Sequence, residues 1–292
     1  MTTVGSGAYR YQLVQDWARL PGGESLGLTS AVATDSRDRI FVSQWKDPAV
    51  LVFDSDGQFL TSWGAGVVTD PHGLYITNDT VYLTDRRDSV ALVFDLDGNL
   101  LRQLGQRGHH SDTGCENMGD LVPRAAGPFN YPTELVPAPS GDLYASDGYR
   151  NSRVHRFTSQ GQLVSSWGEP GKADPNQFHL PHSVLVAPDG VVFVCDRENS
   201  RIQRFSPDGD YLDMWTDVHR PTDIAMDRDG AFYVSELAVD GHPPRISVFD
   251  GHGSVLARWE VRSAHGIWVD SRGDIYLAVR LANNVDKYVK DR

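Results

Sequence analysis

The chain has 292 residues, 40% of them hydrophobic, and a formal net charge of −12 from 39 acidic and 27 basic side chains. With no block of Lys or Arg, that balance excludes the basic face that DNA or RNA requires and argues against an anionic membrane surface. No apolar run approaches the ~20 residues that span a bilayer. The first residues lack the charged and apolar regions of a signal peptide. Two cysteines, Cys115 and Cys195, are too few for a disulfide framework, so a cytoplasmic setting is expected.

In chain order, Tyr11-Gln-Leu-Val-Gln-Asp-Trp17 comes first, a short alternating run that ends on Trp. A unit of four short strands then begins near Ser30, closes its last hairpin with Asp54-Ser-Asp-Gly57 and ends on Trp63. The unit recurs from Pro71, Pro132, Pro181 and Pro221, and a shortened copy begins at Ala264. The turn recurs as Asp95-Leu-Asp-Gly98 and Ser206-Pro-Asp-Gly209, where Gly supplies the positive φ of a tight hairpin. Trp167, Trp215 and Trp259 end further fourth strands, with Leu104 at that place in the second copy. A period of about 40–50 residues is that of four-stranded propeller blades.

The sixth copy runs out after three strands, and the run at about 9–17 supplies the fourth. The sequence therefore predicts an all-β fold, a six-bladed β-propeller in one domain over 1–292, its last blade closed by the N-terminal strand. Two stretches break the period, 105–128 before the third copy and 237–245 within the fifth. Both are expected to be rims or lids over a site, or plain surface excursions.

Inner strands of a propeller line the central channel, so residues at one register form a ring. From copy one to six that ring reads Ser30, His72, Thr133, His182, Thr222 and His265. Histidine recurs in alternate blades, about 120° apart in a six-bladed ring. Three neutral imidazoles with an open fourth position suit Zn²⁺ or another divalent transition metal. The ends of the second strands add Asp85-Arg86, Asp147-Gly-Tyr149-Arg150-Asn151 and Asp196-Arg197-Glu198-Asn199. Asn-Ser-Arg repeats between the last two, which favours a structural turn. Tyr149 and Arg197 differ between copies, and a phenol and a guanidinium suit proton transfer and carboxylate recognition. The third copy has one extra residue before its Asn, predicting a bulge that re-aims Tyr149. His109, His110, Asp112, Cys115 and Glu116 lack ordered metal spacing, and Cys195 reads as a buried small hydrophobe.

The repeat pattern, P-x-x-[IVL] through G-x-[IVLF]-[YF]-V-x-D-x-x-N-x-R-[IV]-x-x-F, resembles the NHL repeat over nearly the whole chain. The third and fourth copies carry F-N-Y-P-T-E-L, S-D-G-Y-R-N-S-R-V, W-G-E-P-G, Q-F-H-L-P-H-S and D-R-E-N-S-R-I-Q. In these they resemble the peptidyl-α-hydroxyglycine α-amidating lyases more specifically. The resemblance implies a six-bladed propeller with three zinc-binding histidines that splits a carbinolamide into an amide and glyoxylate. It maps the ligands onto His72, His182 and His265, the active-site tyrosine onto Tyr149 and the functional arginine onto Arg197. That family's third histidine precedes an Asp that helps hold a structural Ca²⁺; Gly266 stands here, which puts calcium in doubt. Its first-blade substrate arginine has no match in Ser43-Gln44-Trp45-Lys46, leaving Lys46, Arg86 or Arg280 to bind substrate. The expected function is C–N cleavage of a small α-hydroxy-amide. The rivals are a metal-dependent hydrolase of a lactone, ester or amide, and a non-catalytic propeller that binds a protein or peptide.

Overall fold

The structure, a computed structural model, describes residues 2–292. Six antiparallel sheets follow one another along the chain. Five have four strands each, with inner strands Thr29–Thr34, Pro71–Thr77, Pro132–Pro137, Pro181–Val186 and Pro221–Met226. The sixth is built from Gly266–Val269, Ile275–Val279 and Asn284–Lys290, then Tyr9–Val14 and Thr2–Ser6 from the other end of the chain. Inner strands of successive blades pack side by side, and the sixth packs against the first, so the ring closes. Apart from three 3₁₀ turns no helix forms among the described residues, and none is long and apolar enough to cross a membrane.

The second and third strands are buried almost throughout because both their faces meet neighbouring blades. Each of the six apolar clusters joins two adjacent blades. Closure of the sixth blade is part of this packing. Tyr11, fully buried, stacks on Trp259 with ring centroids 5.4 Å apart, and its hydroxyl meets that of Tyr233 at 3.1 Å. The closing strand stops at Val14, short of the expected Trp17, because Asp16 turns into the left-handed region at φ 49°. Trp17 nonetheless joins the sixth blade to the first, where it packs against Phe53 and Tyr276. The fifth strand, Thr2–Ser6, was not expected; its signal was the Ser-Gly turn before Tyr9.

The aromatic that ends a fourth strand sits under the hairpin glycine of the next blade. Gly98 has φ +84°, and a Cβ there would lie 2.7 Å from the Trp63 ring. Gly98→Ala should therefore destabilise the fold by about 1–3 kcal/mol, combining backbone strain with overpacking. Urea denaturation measures it; an unchanged midpoint would mean that the blade joint yields at no cost.

Candidate metal centre

Five of the six ring residues sit where their inner strand slips register, and His265 sits just before its strand begins. The ladder skips Ser30, Thr133, His182 and Thr222, and in the second blade both His72 and Gly73. Such a bulge frees one residue from pairing and re-aims its side chain, here toward the channel. The expected bulge at Tyr149 is instead a loop one residue longer than its fourth-blade counterpart, between Asp147 and Arg153.

The three imidazoles form a nearly equilateral triangle, with ring centroids 4.5, 4.7 and 4.8 Å apart. Nδ1 of His72 donates to the Thr133 carbonyl at 2.7 Å, Nδ1 of His182 to Thr222 at 2.6 Å, and Nδ1 of His265 to Ser30 at 2.7 Å. Each histidine is thus oriented by the backbone of the next blade's ring residue. A carbonyl only accepts, so the proton sits on Nδ1 and each Nε2 keeps its lone pair. One ring nitrogen from each histidine, placed to act as a ligand, lies within 4.8 Å of the other two. Burial holds all three pKa values below the ordinary histidine range. Neighbouring His265 and Arg86 add to the effect at His72, and Arg197 and the other two histidines add to it at His182. His265 is pushed down to about 3, by burial first and then by Arg197, Arg280 and Arg86.

The sign of this shift sets a pH window. As pH falls below 6.5 the unfolded chain would take up these protons before the folded one. The neutral histidines' contribution to stability therefore declines as pH falls below about 6.5, that of His265 until about pH 3. Within the folded protein the protons arrive late, so protons compete weakly with a cation. Metal content after dialysis should be the same at pH 7.5 and 5.5; release beginning at pH 6.5 would show ordinary imidazoles.

Above the triangle lies Tyr149, its hydroxyl 3.3 Å from His72 Nε2 and 3.1 Å from His182 Nε2. Nε2 of His265 is buried with no partner. Arg197 Nη1 is 3.4 Å from the Tyr149 hydroxyl, and the guanidiniums of Arg86 and Arg197 lie 4.8 and 5.5 Å from its ring centroid. The loop over 105–128 lies on this face and supports it: Gly119 donates to the Tyr149 carbonyl at 2.9 Å, and Thr113 to that of Arg150 at 2.6 Å. The 237–245 segment contributes Leu237 to the cleft beside His265.

The arginines expected near the site are brought there, while Lys46 is not. Arg86, buried, chelates Asp70 at 3.0–3.1 Å. Arg280 lines the cleft with Tyr149, Arg197 and His265. Lys46 is exposed and directs its ammonium to the Ser25 carbonyl at 3.3 Å, because the adjacent Trp45 takes the inward position. Trp45 donates to the Pro71 carbonyl at 2.8 Å, and Arg86 and Arg280 lie 4.6 and 4.3 Å from its ring. The strand pattern did not single it out. The repeated acids proved structural: Asp85, Asp147 and Asp196 each accept backbone N–H groups of the segment entering their own blade.

Beneath the triangle the channel holds Glu134 and Asp223, with Gly266 offering no side chain. Asp223 is already engaged by the Ser183 hydroxyl and the Ile224 and Ile267 N–H groups at 2.8–2.9 Å. The carbonyls of Ser30, Thr133 and Thr222 serve the histidines. One buried, unpartnered Glu134 oxygen is far short of the 6–8 oxygens Ca²⁺ takes, so the side chains here do not fit calcium.

The family model for the NHL repeat matches residues 178–205. NHL repeat-containing protein 3 of Homo sapiens is 30% identical over 309 residues, covering 96% of this chain and 84% of that protein. A probable peptidyl-alpha-hydroxyglycine alpha-amidating lyase of Caenorhabditis elegans is 28% identical over 162 residues, 54% of this chain and 43% of that protein. A streptogramin B lyase structure superposes with a TM-score of 0.66 at 12% identity, covering 98% of this chain and 100% of the other, a likeness of fold alone. Matched nearly end to end by a relative of that name, and carrying the repeat in its fourth blade, the chain belongs to the NHL-repeat family of β-propellers.

Proposed function

We propose that the protein is a metal-dependent lyase that cleaves the C–N bond of a small α-hydroxy-amide to an amide and glyoxylate or a similar carbonyl product. The observation that carries this reading is three Nε2 lone pairs converging in a buried ring under a tyrosine hydroxyl. Converging lone pairs repel one another unless a donor or a cation lies between them; the single Tyr149 hydroxyl hydrogen can serve only one, whereas a cation serves all three. His72, His182 and His265 would hold Zn²⁺ or another divalent transition metal, which when bound supplies Lewis-acid polarisation of a substrate oxygen. The relatives named as amidating lyases support the same chemistry.

In this reaction the O–H pair of the substrate hydroxyl becomes the carbonyl π bond, and the C–N pair leaves with nitrogen. Tyr149 passes its own phenolic proton to the departing amide nitrogen and takes the substrate hydroxyl's proton in its place, so no proton is gained or lost overall. Arg197, within reach of the Tyr149 oxygen, stabilises negative charge there while the proton moves.

The first blade turns Trp45 toward the site and, among the described residues, brings no arginine there, which favours a second reading, hydrolysis of a lactone, ester or amide. Product analysis separates the two. Zinc-loaded protein with N-benzoyl-α-hydroxyglycine should give benzamide and glyoxylate in equal amounts. Inertness toward it, with acid released from a lactone or ester panel, would replace the lyase by a hydrolase.

A further inference from the structure

We propose that Arg280, braced on Trp45, is the receptor for the substrate's carboxylate, in a subsite between the fifth and sixth blades. This deepens the lyase reading and rests on it for the identity of the substrate. Three guanidiniums surround the histidine triangle, and two of them are already paired with carboxylates, Arg197 with one that it shares with Arg220. Arg86 is chelated by Asp70, and Arg197 donates to Glu198 at 2.9 Å. Among the described residues Arg280 has neither ion pair nor side-chain hydrogen bond, and its Nε is buried without a partner. The Trp45 ring, 4.3 Å from the guanidinium carbon and itself anchored to the Pro71 carbonyl, braces it. Stacking fixes the plane of a guanidinium and leaves its in-plane donors free. A planar fork with free donors matches a carboxylate bidentately.

Charge points the same way. Neutral imidazoles do nothing to offset a divalent ion, and Arg280 adds a positive charge without a carboxylate partner in the same cleft as His265. In a chain of net charge −12 such an excess is local and calls for an anionic ligand. The connecting space exists. A cleft of about 150 Å³ is lined by His265, Tyr149, Arg197 and Arg280 on its polar side and by Leu237 and Leu281 on its apolar side. Leu281 is 81% exposed and marks the mouth. The ligand class is therefore an α-substituted carboxylate whose acid group meets Arg280 while its acyl portion passes Leu237 and Leu281 to solvent.

Calorimetry with two unreactive probes, N-benzoylglycine and its neutral primary amide, tests this on zinc-loaded protein. Wild type should bind the carboxylate at least tenfold more tightly than the amide. Arg280→Gln should weaken the carboxylate about 10- to 100-fold and leave the amide within about twofold, as expected for losing a charged hydrogen-bonded pair. Trp45→Leu should give a smaller loss, again confined to the carboxylate. Failure of wild type to bind the carboxylate, equal affinity for the two probes, or an equal loss of both in Arg280→Gln would each overturn the subsite. The readout needs no turnover. Arg280-dependent binding without glyoxylate formation would leave the subsite standing and the lyase reading refuted.

Discussion

Tyr149→Phe is expected to keep its fold and its metal and to lose about a thousandfold in turnover, within the range of a general acid–base residue. The substitution removes only the hydroxyl. The ring stays wedged between His72, at 5.1 Å, and the guanidiniums of Arg86 and Arg197 at 4.8 and 5.5 Å. Two of the three Nε2 atoms now share that hydroxyl. Its removal frees them for a cation, so metal affinity should be unchanged or higher. Single-turnover kinetics on zinc-loaded protein, with metal content measured on the same sample, checks both halves. Full turnover in this variant would move the proton transfer to another group and remove Tyr149 from the chemistry.

His182→Ala should abolish both metal retention and turnover. Two imidazoles remain, each still oriented by its carbonyl, but a two-nitrogen site lacks the third ligand that closes a catalytic zinc sphere. The contrast is clearest in stability. A ligand held at a thousand times its dissociation constant stabilises the folded state by about 4 kcal/mol. Thermal unfolding of the wild type should therefore shift downward on chelation and return with added Zn²⁺. That of His182→Ala should be indifferent to either. A variant that retains one metal per chain would place the binding site elsewhere.

The ring was legible because a propeller converts a repeat register into a circle: His72, His182 and His265 occupy equivalent places in alternate copies. The intervening Ser30, Thr133 and Thr222 were legible as places but not as parts, since their backbone carbonyls do the orienting and any residue offers a carbonyl. Closure by the N-terminal strand followed from counting strands, whereas its end at Val14 depended on a left-handed Asp16 that composition does not reveal. The arginines show the limit most clearly. Lys46 and Trp45 are neighbours in the bend after the strand Ile40–Gln44, where one faces inward and the other outward; the pattern alone did not say which. Arg280 and Trp45 come from the last blade and the first, and only ring closure brings them to 4.3 Å. Asp70, the residue that takes Arg86 out of play as a free cation, likewise appears only when the two loops meet.

The account rests on a cation at the centre of the three histidines, and metal content is its most direct test. Wild-type protein purified without chelator, then dialysed against Zn²⁺ and into metal-free buffer, should carry about one transition-metal ion per chain by inductively coupled plasma mass spectrometry. A wild-type protein that holds no metal before or after that treatment would contradict the account, and with it both the lyase and the hydrolase.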